Sequence, residues 1–165
     1  MSESIVLIGM PGAGKSTVGR ALARRLGLDF VDTDDLIAHQ EHCRPQEVLD
    51  RHGAVGFLER EEKALLGCSA PRAVISTGGS AVYSTPAMEH LTRLGSVVFL
   101  DLPLATVRRR IPNADTRAIV RAPGQSLDEL FAERQALYLR WARHVVDASL
   151  GLDFLVSEIV RILER

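Results

Sequence analysis

The run Gly9-Met10-Pro11-Gly12-Ala13-Gly14-Lys15-Ser16 has the spacing GxxxxGK[ST], and its chemistry is phosphate binding. Glycines let such a loop turn its backbone N–H groups inward around an anion. A helix that begins where the loop ends adds a partial positive charge of roughly half an elementary unit. In that arrangement Lys15 bridges the outer phosphates of a nucleotide and Ser16 ligates Mg²⁺. Gly12, Ala13, Gly14, Lys15, Ser16 and Thr17 are therefore the expected nucleotide-binding residues.

Further groups stand where ligands of such a loop would lie. Asp32 and Asp34 follow an apolar pair and, in extended chain, point the same way. At the carboxyl end of a parallel strand they face the crevice where α/β proteins bind ligands. One of them then supports Mg²⁺, usually through water, and the other accepts a substrate hydroxyl or its proton. The alternative is an acidic turn that caps the next helix. Gly78-Gly79 follows another apolar run; it allows close approach of backbone to a ligand, or simply makes a tight turn. Arg117 lies in a long unpatterned stretch. Closed over the phosphates, it would neutralise charge developing in phosphoryl transfer; otherwise it is a solvated loop arginine. Arg108, Arg109 and Arg110 end a helix, where cations suit the dipole, and Arg110 could stack on a base. Arg134, flanked by Phe131 and Tyr138 on an inward face, needs an anionic partner in the protein or in a ligand.

The elements that must hold these residues alternate in type. Ile5-Val6-Leu7-Ile8 reads as a buried parallel strand, and Val18, Leu22 and Leu26 form a helical stripe that Gly27 stops. Strands are expected around Phe30-Val31, Ala73–Ser76, Val97–Leu100 and Val145-Val146. Between them fall helices from Asp34 to His42, from near Pro45, around Phe57–Leu66, after Pro86 and after Pro103. Ser126 to Glu129 matches a capping box, and the helix behind it turns Leu127, Leu130, Phe131, Leu137, Tyr138 and Trp141 inward. Leu155, Ile159 and Ile162 mark a closing amphipathic helix. The pattern predicts α/β architecture, a five-stranded parallel sheet flanked by helices. Pro112 to Gln125 has no period and holds turn-forming residues, so it reads as a mobile lid loop, approximately 111–125.

Bulk properties exclude several classes. The 165 residues are most simply one domain, with 46% hydrophobic and 25% charged residues, ordinary for a globular protein. A net charge of −1 argues against nucleic-acid or membrane-surface binding. No apolar run reaches the ~20 residues that span a bilayer. Cys43 and Cys68 form no metal or C-x-x-C pattern and are expected as reduced thiols. The chain enters its first strand without space for a signal peptide, so a cytoplasmic protein is expected; a monomer is expected as well.

Together these residues resemble the shikimate kinases, small P-loop kinases of the nucleoside-monophosphate-kinase type. The resemblance runs through Gly9–Ser16, Phe30–Asp34, Phe57 with Glu61, Gly78-Gly79, Arg117, and Arg134 with Leu137-Tyr138. It implies ATP and Mg²⁺ on Lys15, Ser16 and Asp32. By the same resemblance Asp34, Gly78, Gly79 and Arg134 hold the substrate, with Arg134 on its carboxylate. Arg117 closes over the phosphates and Arg110 lies near adenine. A substrate-binding helical segment is implied at approximately 33–62.

Three positions depart from the family. Leu58 stands where the family has an arginine that holds the shikimate carboxylate. Ser80 takes the place of a third glycine, and Thr116-Arg117-Ala118-Ile119-Val120 replaces proline and leucines after the lid arginine. Arg60 cannot stand in for the missing arginine, because two positions along a helix is about 200° of rotation. All three departures fall near substrate recognition, while the nucleotide machinery is intact. The expected activity is phosphorylation of a small-metabolite hydroxyl, with shikimate the default acceptor. Another small hydroxy acid such as homoserine and a non-catalytic ligand sensor are the alternatives.

Overall fold

The computed structural model describes residues 3–111 and 119–164. Its centre is β1 (Ser4–Ile8), buried along its whole length because neighbours cover it on both faces and both edges. That is why the strand reads as an unbroken apolar run rather than an alternating one. With β2 (Asp29–Asp32), β3 (Ala73–Ser76), β4 (Gly95–Asp101) and β5 (His144–Asp147) it forms a five-stranded sheet in the order β2-β3-β1-β4-β5. All four pairings are parallel. The expected α/β architecture is thus the observed one.

Register decides which loops meet. Leu7 lies beside Ser76, and Ser76 beside Asp32. The carboxyl ends of β1, β3 and β2 therefore finish side by side, bringing Gly9–Gly14, Thr77–Ser80 and Asp32 to one end of the sheet. Parallel sheets bind ligands at this end.

The helices pack their apolar stripes onto the sheet. Helix α1 (Lys15–Leu26) buries Val18 and Leu22 and ends at Gly27, whose φ of 64° continues the chain in the left-handed region. Helices α4 (Thr85–Leu94), α5 (Leu104–Arg110) and α7 (Leu152–Leu163) start and stop close to the sequence expectation. Helix α6 (Leu127–Trp141) carries the expected capping box. The Ser126 hydroxyl accepts from the Glu129 N–H at 3.1 Å, and the Glu129 carboxylate accepts from the Ser126 N–H at 2.9 Å. Its deeply buried stripe is Leu130, Arg134 and Tyr138.

Away from the sheet, α2 (Thr33–Glu41) and α3 (Pro45–Leu66) build a small second core. Ile37, Val48, Phe57, Ala64 and Val120 are buried there. The sequence suggests separate helices near Pro45 and Phe57–Leu66. They run end to end as α3, with a break at Gly53, where φ is 67° and ψ is −175°. Both cysteines are free thiols, and no helix among the described residues is long and apolar enough to cross a membrane.

Candidate active site

The loop after β1 is shaped by its glycines. Gly12 and Gly14 have φ of 82° and 86°, so the chain curls before entering α1. The ammonium of Lys15 is buried and donates to the carbonyls of Gly9 at 2.7 Å and Met10 at 2.9 Å, which holds the charge across the mouth of the loop. Ala13 is buried beneath the loop, and Thr17 is exposed beside it. From the far side of the sheet end, Arg110 at the last turn of α5 donates to the Gly12 carbonyl at 3.1 Å. The arginine is thereby bound to the loop, and no base is needed to explain its position.

The two aspartates differ from the sequence argument in one respect. β2 stops at Asp32 and α2 begins at Thr33, so extended-chain alternation does not apply. Asp32 is the N-cap of α2: its Oδ1 accepts from the Asp34 N–H at 3.1 Å. Its other oxygen, Oδ2, accepts from the Ser16 hydroxyl at 2.6 Å. The capping turn and the ligand-facing carboxylate are one and the same group. Asp34, in the first turn of α2, opens onto the same space. Water stripped by the surrounding walls raises its pKa above the usual carboxylate value; Asp32 raises it further and Lys15 opposes.

Across from them lies the turn after β3. The Gly78 N–H donates to the Thr33 hydroxyl at 3.1 Å, tying this turn to the start of α2. A Cβ on Gly78 would sit 2.7 Å from Glu61 Oε1, so any side chain there would push the Glu61 carboxyl aside. Ser80 is buried and donates from Oγ to Glu61 Oε2 at 2.6 Å. Glu61 itself is only 2% exposed. Burial pushes its pKa up to about 7, with the Ser80 hydrogen bond and Arg134 opposing and Asp34 reinforcing. Its Oε1 has no hydrogen-bond partner among the described residues.

Arg134 is fully buried, at 1% exposure. It donates to neutral oxygens rather than to the expected anion: the Val120 carbonyl at 2.5 Å and the Tyr83 hydroxyl at 3.3 Å. The ring of Tyr83 lies 5.4 Å from the guanidinium carbon. Nη1 passes behind Gly79, 2.8 Å from where a Cβ would be. The neighbouring Tyr138 is core, as its sequence position suggests, and donates its hydroxyl to the Gly79 carbonyl at 2.7 Å.

The end of the expected lid is tied down by that arginine. Ile119 and Val120 are buried, where the sequence suggests a mobile loop, because a valine side chain fills the second core and its carbonyl caps the guanidinium. Residues 112–118, which include Arg117 and the expected phosphate contact, lie outside the described residues. Leu58 is half-buried against the second core. Arg60 points elsewhere: it donates to Glu41 at 3.0 Å and to the Gly56 carbonyl at 3.0 Å.

These groups enclose one chamber of about 780 Å³. At one end are Gly12, Gly14, Lys15, Ser16, Thr17 and Arg110; at the other are Asp34, Gln46, Phe57, Glu61, Gly78, Gly79 and Ser80, with Asp32 between. A cationic, N–H-rich end thus faces an end that carries the Asp34 and Glu61 carboxyls, with Arg44 also in the lining. The volume suits a nucleotide tail and a small second molecule side by side.

The sequence and the fold both have counterparts among known proteins. The family model for shikimate kinase matches residues 11–164. This chain belongs to the shikimate kinase family. Among curated relatives, shikimate kinase 2 of Yersinia pseudotuberculosis is 34% identical, with 99% of this chain and 97% of the relative covered. Shikimate kinase 2 of Salmonella paratyphi B is 32% identical, covering 99% and 93%. Among solved structures, the shikimate kinase of Acinetobacter baumannii in complex with shikimate superposes with a TM-score of 0.88 at 31% identity, covering 99% and 93%. That of Aquifex aeolicus gives 0.83 at 29%, covering 98% and 96%.

Within this shikimate kinase family member, the residues that sequence reasoning missed are those defined by long-range contact. Tyr83 lies in no motif, and Thr33, inside the Phe30–Asp34 stretch, gives no local sign of its contact with the Gly78 N–H. The Ser80 departure, seen as an added side chain beside the substrate, is a hydrogen bond to Glu61. Gln46 lines the chamber as well, and nothing near it in sequence says so.

Proposed function

We propose that this protein transfers the terminal phosphoryl group of ATP to a hydroxyl of shikimate, giving 3-phosphoshikimate. The observation that carries the reading is the half-open chamber shared by the Lys15 loop and the Asp34 carboxyl, which puts phosphate donor and alcohol side by side. The loop N–H groups and Lys15 bind the phosphates and face the charge that develops on transfer. Arg110, anchored to Gly12, neutralises the flank of the nucleotide.

Ser16 and Asp32 fit Mg²⁺. Their oxygens are 2.6 Å apart at the head of α1, an all-oxygen set that leaves room for waters, as this cation prefers. When bound, the ion neutralises negative charge on the phosphates. Asp34 accepts the proton of the attacking hydroxyl, and its raised pKa makes it a better base than an ordinary aspartate. Gly78 and Gly79 let the acceptor lie against backbone. Arg134, behind Gly79, supplies positive potential for the acceptor's carboxylate, and Arg117 closes from the lid in the role the family resemblance implies. In this reading residues 33–62 form the acceptor-binding segment and 111–125 the lid of a single kinase domain.

A second acceptor stays in play because of one observation. Leu58 is packed into the second core, so the carboxylate contact its position would supply is absent. A more flexible hydroxy acid such as homoserine would suffer less from that loss. The test is a coupled ADP-release assay on purified protein with ATP, Mg²⁺ and a panel of hydroxy acids. Shikimate is expected to turn over far faster than homoserine at equal concentration; the reverse order would move the assignment to the second acceptor.

A further inference from the structure

Three cations line the chamber among the described residues: Lys15, Arg110 and Arg44. Lys15 donates to the Gly9 and Met10 carbonyls and Arg110 to the Gly12 carbonyl, so both belong to the loop end. Arg44 enters from the start of α3, the helix that also brings Pro45, Gln46, Phe57 and Glu61 to the lining. Its side chain is lightly held. Nε donates to Glu47 at 3.4 Å, and the side chain is 83% exposed, a kind of pair that contributes little. The position is also a poor one for arginine. Arg44 is the N-cap of α3, and its side chain makes no capping bond there. Serine, threonine, aspartate or asparagine would cap the helix, whereas a cation opposes the positive end of its dipole. Local helix stability therefore does not explain the residue.

The chemistry of the acceptor end does explain it. Asp34 and Glu61 place two carboxyls in that lining. An anionic acceptor entering beside them is repelled unless a cation faces it. Arg134 is 1% exposed and donates to the Val120 carbonyl and the Tyr83 hydroxyl, so it acts from behind Gly79. Arg44 is the cation in the described lining that is neither bound to the phosphate loop nor enclosed by the core. We propose that Arg44 is a specificity-determining residue whose guanidinium leaves Glu47 and pairs with the carboxylate of the acceptor. The planar fork of arginine matches a carboxylate through two parallel N–H···O bonds, which a neutral ester cannot reproduce. This rests on the reading of shikimate as acceptor and adds to it the side chain that grips the carboxylate.

The experiment measures KM and kcat for shikimate, and KM for ATP, in the wild type, Arg44→Ser and Arg44→Lys. Arg44→Ser removes the charge and supplies a better cap, so its melting temperature should equal or exceed that of the wild type. Its KM for shikimate should nevertheless rise roughly tenfold, with kcat and KM for ATP within about twofold, the pattern of lost ground-state binding. Arg44→Lys keeps the charge without the fork and should raise KM by only about threefold. The methyl ester of shikimate, tested as a competitive inhibitor of shikimate turnover, gives the second arm: its inhibition constant should be the same for the wild type and Arg44→Ser. An unmoved KM for shikimate in Arg44→Ser, or an equal tenfold weakening of the ester, would overturn the role of Arg44 alone. Absence of any shikimate turnover by the wild type would overturn the acceptor assignment and this inference together.

Discussion

Glu61 is a carboxyl group without a cation directly on it. Ser80 offers its oxygen one neutral hydrogen bond, and burial does the rest, lifting its pKa to about 7. The consequence for stability has a definite sign. Below about pH 4.5 the group is protonated in folded and unfolded chains alike and costs nothing. Between there and about pH 7 the unfolded chain has lost the proton and the folded chain keeps it, so stability falls as pH rises. Above that the penalty is complete, about 3 kcal/mol at 1.36 kcal/mol per unit. Glu61→Gln retains an acceptor for Ser80 and cannot ionise. Its melting temperature should exceed that of the wild type by about 5–10 °C at pH 8, with the gap closing toward pH 5. An offset that is the same at both pH values would mean that ionisation of Glu61 is not the cause.

At the scale of elements, α3 shows how far a local reading reaches. Pro45 and the stripe through Phe57 and Leu65 mark its two halves in the sequence, but periodicity cannot say whether they join. They join at Gly53, whose φ of 67° and ψ of −175° belong to a region almost closed to other residues. The bend lets the first half present Gln46 to the chamber while the second presents Phe57 and Glu61. In a straight exposed helix, Gly→Ala would stabilise by roughly 0.5–1 kcal/mol. At this bend Gly53→Ala should instead cost about 1–3 kcal/mol and lower the melting temperature by roughly 5 °C in a circular dichroism melt. A raised melting temperature would show that the bend is not required.

At the scale of the molecule, what was legible in the sequence is what depends on neighbours along the chain. The Lys15 loop, the Ser126–Glu129 cap and the apolar runs of β1, β3 and β4 are local signals, and each appears where its residues place it. The alternation argument for the Asp32–Asp34 pair holds only in part, since the strand ends two residues before Asp34. Arg134 was seen as inward, yet its partners, the Val120 carbonyl and Tyr83 hydroxyl, are set by tertiary packing. Ser80 and Glu61 meet only when β3 and α3 are folded together; no spacing rule encodes that. The nucleotide end was therefore readable and the acceptor end only in outline. The central claim is that a phosphoryl group passes from the loop end of the chamber to an alcohol at the Asp34 end. Phosphorus NMR of the purified protein with ATP, Mg²⁺ and shikimate tests it most directly. A new phosphomonoester resonance should grow with ADP, and Lys15→Ala should give none. ADP accompanied only by inorganic phosphate, or an equal phosphomonoester signal from Lys15→Ala, would contradict the claim.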